Sequence, residues 1–303
     1  MKSTTLCLVA ALLVAPSVGQ DIHRQAIDYV EVTDSVVLAR PPLGSNMTCI
    51  ATSAGLYFID AGMNTDIARR FRVDMEKKFG KKTLALLMTH AHIDHFLGMA
   101  AFADTEVVAA ETGQSLWQRQ LTVEFTEQRI EAYSRIFPGF RECIRDAKPF
   151  APAVWVKGEA VIGEGEDRLI LTNTGGHSVD SSSVYFPAER VLVAGDLVQV
   201  DQYPYFGDPT TDMDCWLGTF DRWLGMDIAA VCAGHGRAVG KEYIRRMSAY
   251  FRDLIDTVKK LKEEGVAVEK VPHHPALPEK YWPETKEEPP WWGYAVAMIY
   301  QSL

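Results

Sequence analysis

Three of the chain's eight histidines and one aspartate lie within six positions, in the run Thr89-His90-Ala91-His92-Ile93-Asp94-His95. The run follows Leu84-Ala85-Leu86-Leu87-Met88, an apolar stretch that reads as a buried strand and is too short for a helix. Side chains at i, i+2, i+4 and i+5 beyond a rigid strand end can converge on a small volume. Imidazole and carboxylate together suit zinc, with iron or manganese as alternatives. Without a metal, imidazoles this close repel when protonated and are costly to desolvate when buried without partners. The run therefore calls for a fold whose strand ends meet around a cation.

Partners recur along the chain in the same setting. His177 lies in Thr174-Gly175-Gly176-His177-Ser178. Asp196 ends the apolar stretch Val191-Leu192-Val193-Ala194-Gly195, and His235 follows Val231-Cys232-Ala233-Gly234. Each metal-type side chain sits just past a short apolar segment. Glycines flank three of these turns, where the backbone must bend sharply or pass close to another group.

The set HxHxDH, GGH, GD and GHG resembles that of the metallo-β-lactamase-fold hydrolase superfamily. Asp60, in Tyr57-Phe58-Ile59-Asp60-Ala61-Gly62, matches the acidic residue that ends an early strand in that family. The resemblance runs from about residue 28 to 240 and is specific in combination. It implies an α/β fold, a four-layer αββα sandwich with the metals at one edge between two sheets. It also assigns His90, His92 and His177 to a first metal, and Asp94, His95 and His235 to a second, with Asp196 bridging. Two divalent ions about 4 Å apart need a shared anion to offset their repulsion. The family mechanism it implies uses a hydroxide bridging two zinc ions to attack a carbonyl-type carbon, with Asp94 orienting the nucleophile or relaying its proton. Asp60 is expected to hold a ligand imidazole from behind. Dedicated β-lactamases of the family lack the bridging aspartate, and some carry a cysteine there. Asp196 thus points toward the thioesterase, lactonase and phosphodiesterase branches, with β-lactam cleavage as a side activity.

Nearly half the residues are apolar, enough for one large α/β domain over residues 20–265. Residues 1–19 read as a secretory signal peptide: Lys2, an apolar stretch from Leu6 to Ala15, then Ser17-Val18-Gly19. The stretch is too short to span a bilayer comfortably, so a secreted or periplasmic location without stable membrane insertion is expected. Cys7 would leave with the signal. Cys49, Cys143, Cys215 and Cys232 remain, with three pairings open in an oxidising setting. Cys232, in a predicted strand, reads as a small buried hydrophobe. Asn46-Met47-Thr48 is a glycosylation sequon, meaningful only in a eukaryotic source. Loss of Lys2 would leave 30 basic residues of the original 31 against 40 acidic ones, a net of about −10. That balance argues against a nucleic-acid substrate, whose phosphates need a basic surface.

Short strands are predicted at Tyr29–Val32, Val36–Leu38, Met47–Thr52 and Leu56–Ile59, the last two as a hairpin. A helix capped by Asn64 or Thr65 should run to Phe79 and stop at Gly80. Thr105–Ala109 reads as a strand. Residues 112–147 are helical and charged, interrupted near Phe137-Pro138-Gly139, and form an insertion that either shapes access to the site or serves as scaffold. Strands follow at Val154–Val156, Leu169–Leu171, Val184–Phe186, Val191–Val193 and Ile228–Ala233. Helices are predicted over Asp214–Leu224 and Glu242–Glu264. From 266 to 303 the chain becomes an arm rich in Pro, Trp and charge, including Trp282-Pro283 and Trp291-Trp292, and ending in a short apolar helix. Its aromatics are expected to pack on the body or on the second subunit of a homodimer.

His23, His273 and His274 read as structural or solvated. Ser178 reads as a cap or a donor behind a ligand. Tyr203 and Tyr205 follow the bridging aspartate; they are either substrate-side donors to an oxyanion or packed loop aromatics. The reading is an exported dinuclear zinc hydrolase of a small ester, thioester, lactone or amide. A mononuclear iron persulfide dioxygenase-like oxidoreductase and a phosphodiesterase are the alternatives. No motif names the substrate, which loops and insertions determine in this superfamily.

Overall fold

The structure is a computed structural model that describes residues 26–124, 126–136, 139–278, 289 and 291–303. The signal-peptide reading, Cys7, His23, the Phe137-Pro138 interruption and Trp282-Pro283 lie outside those residues.

The described residues begin with an antiparallel meander: β1 (Asp28–Glu31), β2 (Val36–Arg40), β3 (Met47–Ala51) and β4 (Leu56–Ile59). Helix α1 (Thr65–Phe79) follows, then β5 (Thr83–Leu87), the short helix α2 (Ile93–Phe96) and β6 (Glu106–Ala110). The insertion holds α3 (Gln114–Arg119), a π-helical turn (Gln120–Glu124), α4 (Glu127–Ile136) and α5 (Phe140–Cys143). β7 (Val154–Val156) closes the first sheet, whose order is β1 to β7, with β4 to β7 parallel. The second sheet comprises β8 (Glu159–Ile162), β9 (Leu169–Asn173), β10 (Ser182–Phe186), β11 (Val191–Gln199) and β12 (Ala230–His235). Its order runs from β12 back to β8, and β11 and β12 are parallel. Helices α6 (Met213–Gly225), α7 (Lys241–Glu263) and α8 (Trp292–Ser302) cover it.

The period-two alternation of the strands builds the layers. Val36 and Leu38 face inward with Leu171, Val184 and Val193, filling the space between the sheets. Val37 and Ala39 face outward, against Ile67 and Phe71 of α1. In the second sheet Val191 and Val193 point in, while Leu192 and Ala194 point out to Trp216, Phe220 and Phe251. The result is the expected αββα sandwich. Asn64 caps α1 by accepting from the amides of Asp66 and Ile67, and Gly80 ends the helix at φ +64°.

The insertion is in large part scaffold. Trp117, Tyr133, Phe140 and Ile144 are buried in the outer core of the first sheet. The arm packs on the body: Trp291, Trp292, Val296 and Ile299 join the core of α6 and α7, and the Trp292 indole donates to Pro272 O.

Some elements differ from the sequence reading. β8 was not expected; it is an edge strand with Val161 60% exposed, so its alternation is weak. β11 does not end before Asp196 but runs through it to Gln199. The last strand starts at Ala230, because Ile228 closes a turn onto Met226. The four cysteines among the described residues are separate thiols rather than disulfides. Cys49 and Cys143 lie in the outer core of the first sheet, Cys232 lies between the sheets, and Cys215 is exposed on α6. Burial pushes the Cys143 and Cys232 thiols up to about 12. The Asn46 side chain is buried, and its amide donates to Ala233 O and Gly236 O. It ties the β12 turn in place and does not present itself to a glycosylating enzyme.

Candidate metal centre

All the candidate ligands gather where the two sheets' strand ends meet. Beyond β5 the chain turns through His90 and places His92, Asp94 and His95 at and inside the first turn of α2. His177 precedes β10, Asp196 lies within β11, and His235 ends β12. A bulge at Gly195, with φ +53°, shifts the β11–β12 register beside Asp196. Backbones also approach closely here: a Cβ at Gly234 would lie 2.1 Å from Asp196 Oδ1.

Ligand-type atoms form two groups, His90, His92, His177 and Asp196 in one, and Asp94, His95 and His235 in the other. Within each group they lie within 4.8 Å of one another. The two oxygens of Asp196 face different groups. Oδ2 is 3.6 Å from His177 Nε2, while Oδ1 is 3.1 Å from His95 Nε2 and 3.3 Å from His235 Nε2. Asp94 Oδ2 lies 3.2 Å from His235 Nε2. All seven side chains are buried.

The outward-facing nitrogens are held from behind. His95 Nδ1 donates to Asp60 Oδ2 at 2.7 Å, and His177 Nδ1 donates to Tyr205 O at 2.9 Å. His92 Nε2 meets Asp208 Oδ2 at 3.0 Å, which leaves Nδ1 on the site side, 3.0 Å from His177 Nε2. The Thr89 hydroxyl donates to Asp60 and accepts from His90 Nδ1 at 2.9 Å. These bonds select the tautomers that leave a lone pair toward the centre. Asp60 adopts φ +59° and also accepts from the Thr89 amide, binding β4's end to the histidine turn.

The electrostatics differ from ligand to ligand; burial opposes charge on His92, but Asp208 prevails and raises it. Burial, then His95 and His92, holds His90 well below its usual range; burial and His92 push His177 down to about 4. Burial also opposes charge on His95 and His235, but Asp196 and its neighbouring carboxylates prevail, raising His95 strongly and His235 to about 9. Burial works against ionised Asp196 and Asp94 too, and the His95 and His235 charges outweigh it. The centre is thus a buried pair of carboxylates that calls for positive charge.

His90 Nε2, His95 Nε2, both oxygens of Asp94 and Asp196 Oδ1 are buried without a hydrogen-bond partner. Such orphans cost about 1–3 kcal/mol each. Divalent ions would satisfy them, taking the place of the protons that the carboxylates draw onto His95 and His235 and leaving the neutral imidazoles that metals require. The residues present therefore fit two metal ions.

Residues 40–235 match the metallo-beta-lactamase superfamily. The chain belongs to that superfamily. A metallo-beta-lactamase type 2 of Bacillus sp. (strain 170) is 23% identical over 201 residues, 65% of this chain and 68% of that protein. An acyl-coenzyme A thioesterase of Gallus gallus is 24% identical over 180 residues, 57% of this chain and 63% of that one. Among solved structures, the inverting sec-alkylsulfatase Pisa1 from Pseudomonas sp. aligns with 91% of this chain at TM-score 0.68 and 18% identity. The chain spans only 50% of that protein's length. A metallo-beta-lactamase family protein from Thermus thermophilus aligns over 89% of this chain and 92% of its own, at TM-score 0.64 and 18% identity. The fold and the divalent-metal, hydrolase-type chemistry are those of this superfamily.

Other site residues carried no motif signal. Asp208 and Asp180 are buried acids in loops, and Gln199 is a buried amide. Asp180 accepts from the Ala91 amide and the Ser178 hydroxyl, and burial raises its pKa. Gln199 Nε2 reaches Asp196 O at 3.2 Å, and its Oε1 accepts from the Tyr205 amide. The position of Asp208, shortly after Asp196 on a Gly-Asp turn, was the available hint. Tyr203 and Tyr205 are packed aromatics, and the Tyr205 ring also lies 5.8 Å from that of His177. Their rings lie 5.3 Å from Trp292 and 5.2 Å from Trp291, and both are buried.

Proposed function

We propose that the protein is an exported dinuclear zinc hydrolase acting on a small ester, thioester, lactone or amide, β-lactams included. The observation that carries this is the Asp196 carboxylate, with one oxygen toward each of two complete ligand groups.

His90 Nε2, His92 Nδ1, His177 Nε2 and Asp196 Oδ2 would hold one ion. Asp94, His95 Nε2, His235 Nε2 and Asp196 Oδ1 would hold the other. Bound there, the ions would supply Lewis acidity toward the substrate oxygen and lower the pKa of a water toward about 7. Asp94 keeps both oxygens buried and without a hydrogen-bond partner, so it can orient that water and take up its proton. Asp60, Asp208 and Tyr205 O fix the imidazoles, which keeps the geometry constant through turnover. Burial of the ligands excludes bulk water and strengthens each of these interactions.

The acyl-coenzyme A thioesterase and β-lactamase relatives support acyl chemistry. The net charge of −9 disfavours polyanionic substrates. The N-terminal charge, apolar stretch and small-residue site support export. No helix among the described residues is long and apolar enough to cross a membrane.

Zinc-loaded protein assayed on a thioester, a lactone, a β-lactam and a phosphodiester tests the reading. Turnover of an acyl substrate that disappears in the His90→Ala plus Asp196→Ala double variant supports it. Protein that holds two zinc ions yet turns over none of the four would count against it, as would iron loading with persulfide oxidation.

A further inference from the structure

We infer that Gln120 of the helical insertion is a positioning residue for the three-histidine group, acting through the backbone of Ala91. The inference rests on the metal-centre reading above.

Ala91 is the one residue between His90 and His92. It lies beyond β5 and before α2, so no ladder or helix satisfies its backbone groups. They are satisfied from two distant segments instead. The Ala91 amide donates to Asp180 Oδ2 at 2.9 Å, and the Ala91 carbonyl accepts from Gln120 Nε2 at 2.8 Å. Asp180 comes from the loop behind His177, and Gln120 from the insertion between β6 and β7.

The rings on either side are already held, His90 through Thr89 and His92 through Asp208. What remains free to alter their relative placement is rotation about the backbone of Ala91. The two clamp bonds restrain both peptide groups that flank it. Loss of either lets His90 Nε2 move relative to His92 Nδ1, and those two atoms must bind one ion.

Two further observations set Gln120 apart from a core-filling residue. It opens the π-helical turn Gln120–Glu124, a geometry rare in proteins and frequent at functional sites. Its Oε1 is also buried with no hydrogen-bond partner, on a side chain 6% exposed. A methionine would fill the same volume without an orphaned acceptor. The amide is held by its N–H alone, and that N–H is the half that reaches the metal loop. The insertion thereby carries one specific contact to the centre besides its packing.

The test uses the full chain as wild type, Gln120→Met, Gln120→Glu and His177→Ala. Gln120→Met keeps the volume and removes the donor. Gln120→Glu turns an acceptor toward the Ala91 carbonyl. Metal-free protein is titrated with zinc alone by calorimetry, and the d–d spectrum of the cobalt(II)-loaded form is recorded. His177→Ala marks which binding step and which absorption band belong to the three-histidine group. Wild type is expected to take up two ions. Gln120→Met should weaken the three-histidine step by about tenfold, leave the other unchanged and perturb only the corresponding cobalt band. Gln120→Glu should weaken it further. A packing role would instead lower the unfolding temperature of the metal-free protein and tolerate methionine at the metal. No change at either step, or equal loss at both, overturns the inference. Wild type that binds no metal overturns the metal-centre reading itself, a result separate from any difference between variants.

Discussion

The first sheet delivers His90, His92, Asp94 and His95 from one short loop, whereas the second delivers His177, Asp196 and His235 from three separate places. In the first case local chain geometry does most of the positioning. The strand end, the first turn of α2 and the Thr89–Asp60 bonds hold the run as a unit. In the second, placement depends on tertiary contacts. His177 leans on Tyr205 O, Asp196 contacts Gln199, and the Tyr205 loop is pressed down by Trp291 and Trp292 of the arm. Equivalent ligands should therefore differ in how far away a mutation can disturb them.

Asp196→Ala should have the largest effect, because this carboxylate serves both halves. It should abolish turnover on any substrate and reduce bound zinc below two ions per chain, measured by elemental analysis beside activity. Full zinc with residual turnover would show that the halves do not need their shared anion.

The sequence made the local half legible. Helix α1 with its Asn64 and Gly80 ends, the strand before His90 and the spacing of the histidines all follow from neighbours in the chain. The second half was legible only in its ligands. Asp208, Asp180 and Gln199 act through contacts made by folding, and a lone acid or amide in a loop carries no periodic signal. Tyr203 and Tyr205 invited a catalytic reading because they follow Asp196. Only the folded arm shows their rings occupied by tryptophans. β11 ran on past its predicted end because a bulge at Gly195 shifts the register beside Asp196 without ending the strand.

Trp291→Ala comes next in size. Removing a buried indole should cost about 3–5 kcal/mol of stability, read from denaturant unfolding. The comparison adds a sharper expectation. Because Trp291 packs on Tyr205 and Phe206, the zinc step at the three-histidine group should weaken while the Asp94 group keeps its affinity. Equal weakening would mean that the arm supports the whole centre alike.

The acids behind the imidazoles give an unequal pair at the next level down. Asp208→Ala should weaken zinc at the three-histidine group, and Asp60→Ala should weaken it most at the Asp94 group through His95 and less at the other through Thr89 and His90, the main effect of each being about 10–100-fold. Zinc titration of the two variants checks the assignment. Asp208 sits with His92 on one side and the Thr210 amide and hydroxyl on the other. His92 therefore belongs to the local run in sequence but is fixed by the second half in space. If Asp60→Ala affected both groups equally, the first loop would be moving as one body.

Asn64 offers the smallest and most local change. Its Oδ1 caps α1, and its Nδ2 donates to Cys143 O at 2.7 Å, where the insertion returns. Asn64→Ala should cost about 2 kcal/mol, roughly half from the cap and half from the bond to Cys143. Asn64→Ser keeps a capping oxygen and should recover about 1 kcal/mol, seen as a partial return of the unfolding midpoint. Neither change should alter zinc affinity, because the histidine loop takes its support from Asp60, β5, Asp180 and Gln120 rather than from the start of α1. An Asn64→Ala protein that folds but loses zinc would show the first half depending on distant packing as much as the second does. The contrast between a locally built loop and a tertiary one would then fail at the point where it is most exposed.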